Sequence, residues 1–160
     1  VHKPRTYLAS GYQGTLGWGY ATGLGVACAR PDVPVVSING DGGFGYCLPE
    51  LATAVRHKIP LVAVVFSDNA YGNVRRFQMT NYEGRVIASD LVNPDYVKLG
   101  EAHGIRSGRA TTAEQLRGAL RGAIKAREPA LIEVPVGVFP DPWKLVAMPR
   151  TRGKPLFSST

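Results

Sequence analysis

Six consecutive apolar residues, Leu61 to Phe66, follow Pro60. Successive side chains of a strand point to opposite faces, so a run with no polar alternation is buried from both sides. That is the situation of a parallel strand with helices above and below it. Val35 to Ile38 and Ala130 to Val136 have the same β-rich character. Helical spacing lies between these runs, at Leu48, Leu51, Ala52 and Val55, at Tyr96, Leu99, Gly100 and His103, and at Leu116, Ala119, Leu120, Ala123 and Ile124. Asn93-Pro94 reads as an N-cap followed by proline at the first helical position, with Gly104 as the stop. Thr112 and Gln115 read as a capping-box pair. Strands alternating with helices predict an α/β fold, three-layer αβα, with a mostly parallel sheet.

A length of 160 residues suits one domain, and 44% hydrophobic with 19% charged residues suits a globular one. No apolar run is long enough to span a bilayer, and no signal pattern opens the chain. The net charge of +7 raises nucleic acid as a partner. Its basic residues are scattered, the densest being Arg75-Arg76 and the group Arg150, Arg152 and Lys154, without the interleaved aromatics of single-strand binders. We therefore expect neither a nucleic-acid nor a membrane partner. Cys28 and Cys47 sit among small or apolar residues and are expected to be buried free thiols, which fits a cytoplasmic compartment. The Gly- and Ala-rich segment Gly11 to Ala29 is suited to close backbone packing against a sheet or a neighbouring subunit. The expected organisation is a domain over 1–137 and an extended tail over 138–160, broken by Pro140, Pro142, Pro149 and Pro155.

Gly40-Asp41-Gly42-Gly43 directly follows the first strand. Glycines there let backbone amides approach a phosphate, and a following helix N-terminus favours negative charge. A carboxylate in such a turn is repulsive to phosphate unless a cation stands between them. Mg²⁺ is such a cation, since it takes oxygens from carboxylate and phosphate together. Alone, Gly-Asp-Gly is most often only a tight turn. One strand–helix–strand further on, however, the next strand runs into Ser67-Asp68-Asn69-Ala70-Tyr71-Gly72. Parallel neighbours end at the same carboxyl edge, where open α/β sheets bind ligands. Two oxygen-bearing loops at one edge make a metal–diphosphate clamp.

The series Gly40-Asp41-Gly42, Glu50-Leu51-Ala52-Thr53, Pro60, a strand, and Asp68-Asn69-Ala70-Tyr71-Gly72 resembles the motif of thiamine-diphosphate (ThDP) enzymes. It is most similar to the C-terminal, diphosphate-binding domain of the acetolactate synthase and 2-oxo-acid decarboxylase family, over roughly residues 6–136. The resemblance implies ThDP and Mg²⁺ as cofactors. It implies Asp41, Asp68 and the main-chain carbonyl of Ala70 as metal ligands, with amides near Gly42, Gly43, Tyr71 and Gly72 on the diphosphate. Asp68 departs from the family, which usually has Asn there. A register with Asn69 as ligand is the alternative, but only Asp68 leaves Pro60 and Tyr71-Gly72 matched without a gap. Upstream, Gly14-Thr15-Leu16-Gly17 resembles the segment under the thiazolium. Leu16 would prop the cofactor in its bent shape, and the Gly14 carbonyl would accept from its exocyclic amine.

The resemblance also implies what lies elsewhere. The family's cofactor-activating glutamate belongs to a separate pyrimidine-binding domain, which faces this one across a dimer interface. We expect that domain in a longer polypeptide or a partner subunit, a homo-oligomer, a 2-oxo-acid substrate, and no turnover by this chain alone. The alternatives are part of a simple 2-oxo-acid decarboxylase or aldehyde lyase, or a non-catalytic cofactor-binding or dimerisation module, and flavin dependence stays open. His2, His57, His103 and Glu50 are read as structural or solvated rather than catalytic.

Overall fold

A computed structural model describes residues 3–139. Its sheet has four strands, β1 (Val35–Gly40), β2 (Leu61–Ser67), β3 (Arg106–Arg109) and β4 (Ala130–Pro135). Their order is β1-β2-β4-β3, and every pairing is parallel. The apolar run Leu61–Phe66 is therefore an interior strand, with Leu61 to Val65 each at most 3% exposed. Burying each of the larger side chains, Leu61, Val62, Val64 and Val65, contributes about 1.5–3 kcal/mol.

Two cores lie on opposite sides of the sheet. On one face Leu61, Ala63, Val65 and Leu131 pack with Leu24, Phe44, Leu51 and Tyr96. These come from α1 (Trp18–Ala29), α2 (Asp41–Phe44), α3 (Glu50–Arg56) and α5 (Tyr96–Ala102). On the other face Val62, Ala130 and Ile132 pack with Ala123, Leu116 and Leu120 of α6 (Ala113–Ala126). The result is the expected three-layer αβα architecture. The Gly/Ala-rich segment does pack closely: a Cβ on Gly23 of α1 would lie 3.1–3.2 Å from the Leu61 and Ser37 side chains. The outer side of β1 carries no strand partner among the described residues, and Ile38 there is 70% exposed.

Several expectations need correction. Asn93 does not cap α5. Asp95 does, its Oδ1 accepting from the amides of Val97 and Lys98. Those amide bonds, chiefly that of Lys98, hold the Asp95 carboxyl below its ordinary range, with a further contribution from Arg109. Asp95 thus satisfies orphan donors of the helix start, and Asn93 is released for other work. Thr112 does cap α6, but Gln115 reaches back to Thr111 rather than to Thr112. Val55 faces outward; Leu51 and Ala54 form the buried side of α3. Cys28 is exposed, and only Cys47 is buried. The expected tail falls mostly on residues 140–160, outside the described residues.

Among the described glycines, Gly100 of α5 leaves the least room for a side chain. A Cβ there would overlap Ser107 Oγ and lie 3.0 Å from Ser107 Cβ. Alanine is the better helix former by about 1 kcal/mol, so propensity and packing oppose each other. We expect packing to win. Gly100→Ala should lower Tm by about 3–8 °C, and Ser107→Gly in the same chain should restore most of it. A rise in Tm on scanning calorimetry would refute this account.

Candidate functional site

The register pairs Gly40 with Phe66, so β1 and β2 end side by side. The chain turns helical at once after β1, and Asp41 is the first residue of α2. Its carboxylate is 2% exposed and gathers four donors. Oδ1 accepts from its neighbour Gly42 N at 2.8 Å. Oδ2 accepts from Asp68 N at 3.2 Å, Asn69 N at 2.8 Å and Asn93 Nδ2 at 2.6 Å. Charge-assisted bonds of this kind are about twice as strong as neutral ones. The two motif loops are therefore joined through one side chain.

The second loop is shaped to meet it. Asn69 has φ +57°, a left-handed conformation that Asn tolerates better than most residues. Its carbonyl accepts from Leu91 N at 2.8 Å, and Tyr71 N donates to Ser89 O at 2.8 Å. These bonds tie the loop to the segment leading into Asn93. Asp68 Oδ1 accepts from Ala70 N at 3.3 Å. Partial burial and then the charge of Asp41 push the Asp68 carboxyl above its ordinary range. Two glycines fit by having no Cβ. One on Gly42 would lie 2.6 Å from the Tyr71 ring, and one on Gly72 would lie 2.7 Å from Asp68 Oδ2.

Leu16 also reaches this turn. It is 48% exposed, and its Cδ2 lies 3.8 Å from where a Gly43 Cβ would stand. Gly14 and Gly17 both have positive φ. The Cys47 thiol donates to the Gly17 carbonyl at 2.9 Å, pinning this loop to the segment after α2. Two cavities flank the turn. One, about 370 Å³, is walled by Asp41, Gly42, Tyr46, Tyr71, Asn93 and Tyr96. The other, about 640 Å³, runs past Leu16, Gly17, Gly40 and Gly43 along β1. The structure thus brings together Gly40, Asp41, Gly42, Gly43, Asp68, Ala70, Tyr71, Gly72 and Leu16. Asp68 lines neither cavity.

Asn93 is the site residue that sequence reasoning missed. It lies on the path into α5, between Val92 and Pro94, and its side chain is turned toward Asp41. Asn93-Pro94 resembles a helix start closely enough that nothing local distinguishes the two roles. Behind it the Tyr96 hydroxyl donates to Asn93 Oδ1 at 3.1 Å. Burial, aided by the charges of Asp41 and Glu133, pushes the Tyr96 phenol well up, so it stays a donor.

Comparison with known proteins gives this geometry its class. Residues 1–134 match the family model described as the thiamine pyrophosphate enzyme, C-terminal TPP binding domain. The chain belongs to that family. A probable acetolactate synthase large subunit of Methanocaldococcus jannaschii is 37% identical over 82% of this chain. An acetolactate synthase of Bacillus subtilis is 38% identical over 84% of it. The chain spans only 22% and 24% of the length of these two relatives. Among solved structures, a thiamine diphosphate-dependent 4-hydroxybenzoylformate decarboxylase of Rhodococcus jostii RHA1 superposes with TM-score 0.73 at 33% identity. That likeness covers 78% of this chain and 24% of the decarboxylase.

The folded state holds a proton on Asp68 more tightly than the unfolded chain does. Stability from that proton is present below the unfolded pKa and lost as pH rises through the folded one. Asp68→Asn should therefore raise Tm at neutral pH and leave it unchanged near about pH 3. Equal Tm values for the two proteins at both pH values would contradict the assignment.

Proposed function

We propose that this chain is the diphosphate- and Mg²⁺-binding half of a ThDP-dependent active site acting on 2-oxo acids, in the manner of an acetolactate synthase. The observation that carries the reading is the buried Asp41 carboxylate, clasped by the Asp68–Asn69 backbone at the carboxyl edge of the sheet. The donor set fits Mg²⁺ bound together with a diphosphate. Among the described residues no three His, Cys, Asp or Glu side chains form a metal cluster. A cation here must draw on main-chain and phosphate oxygens as well as on two carboxylates, which is the habit of Mg²⁺. Asp41 and Asp68 would hold it, with the carbonyl of Ala70. Asn69 is less suited, since its Oδ1 already accepts from Asn93 at 3.0 Å.

The bound cofactor would supply the electron sink for decarboxylation, and the protein the binding, orientation and electrostatics. Gly42, Gly43, Tyr71 and Gly72 would present amides to the diphosphate, and Gly40 ends the strand beneath them. Leu16 and the Gly14 carbonyl would set the cofactor's shape and amine. Activation would fall to a pyrimidine-binding domain in the same polypeptide or a partner, within a homo-oligomer. This chain alone would not turn over. A simple decarboxylase is the second reading, favoured by the benzoylformate decarboxylases among the similar structures.

Calorimetric titration of ThDP with and without Mg²⁺ tests the clamp. Binding should require Mg²⁺ and vanish in Asp41→Ala. Wild-type protein that binds ThDP equally well without Mg²⁺, or not at all, would overturn the proposal. Asp68→Asn should bind but need more Mg²⁺, because Asp68 adds negative charge at the cation. Superimposable Mg²⁺ curves would remove that role from Asp68.

A further inference from the structure

We propose that Asn93 is a positioning residue for Asp41, holding Oδ2 so that Oδ1 is the oxygen presented to a divalent cation. The inference rests on the metal-binding reading given above and adds a residue to it. Three donors converge on Oδ2, from Asp68 N, Asn69 N and Asn93 Nδ2. Among the described residues only the adjacent Gly42 amide meets Oδ1. The two oxygens are thus unequal before any metal arrives.

Among the three donors on Oδ2, Asn93 alone is a side chain, and its contact at 2.6 Å is the shortest. Its amide orientation is fixed by its surroundings. Nδ2 faces two acceptors, Asp41 Oδ2 and Asn69 Oδ1, while Oδ1 faces the Tyr96 hydroxyl. A flipped amide would set its oxygen against a carboxylate and strand a donor at Tyr96. Tyr96 is itself 1% exposed and lies in the main core, its ring edge-on to Phe44 at 5.8 Å. The chain Phe44–Tyr96–Asn93–Asp41 therefore carries the rigidity of the core to the carboxylate. Partners that orient a metal ligand in this way typically change metal affinity about 10- to 100-fold when removed.

The test is a Mg²⁺ titration at fixed ThDP, repeated as a ThDP titration at saturating Mg²⁺, on wild type, Asn93→Ala and Tyr96→Phe. Folding is checked by circular dichroism at the titration temperature. Asn93→Ala should raise the Mg²⁺ half-saturation by about tenfold or more, with a smaller change in ThDP affinity once Mg²⁺ is saturating. Tyr96→Phe removes only a hydroxyl and should shift the Mg²⁺ curve in the same direction by less; it keeps the test open if Asn93→Ala does not fold. Folded variants with lowered Tm but wild-type Mg²⁺ curves would make Asn93 merely structural and overturn the proposal. Failure of wild type to show Mg²⁺-dependent binding would instead overturn the reading beneath it.

Discussion

A buried carboxylate at the end of β1 is the constraint on which the rest depends. Asp41 is nearly inaccessible to water, and an ionised group so placed must be given donors. The next loop supplies two amides, and the path into α5 supplies a side chain. To do so, β2 must end level with β1, Asn69 must adopt a left-handed conformation, and Asn93 must be freed from capping. The local irregularities of this edge are solutions to one solvation problem. Among the described residues no buried side-chain nitrogen or oxygen lacks a partner.

This arrangement explains how a short motif carries so much specificity. Gly42 and Gly72 are small because Tyr71 and Asp68 occupy the space a Cβ would need. Asp68 and Asp41 sit close enough that the charge of one is felt by the other. That repulsion is part of what the donors gathered on Asp41 offset at this sheet edge.

Much of this was legible in the residues. The unbroken apolar run of β2 announces an interior parallel strand, and the two Gly/Asp loops announce a shared edge. What could not be read had little hydrophobic signature. The edge strand β3 is Arg-Ser-Gly-Arg, half open to solvent, and its only patterning comes from pairing with β4. The helix Gly72–Asn81 buries none of its residues, so no periodic apolar face marks it. Asn93 was misread because capping and carboxylate binding call for the same amide at the same kind of place. Only the three-dimensional return of the 89–93 segment to Asp41 separates the two uses.

The outer side of β1 has a consequence for anyone handling this domain by itself. A strand at a sheet border offers a row of free amides and carbonyls, and natural proteins usually blunt such borders with charge, proline or a cover. Here the exposed residues on β1 include Val36 and Ile38, both apolar and β-branched. Purified in isolation, the domain would be prone to stack edge to edge, so its solubility would depend on concentration far more than its net charge of +7 implies.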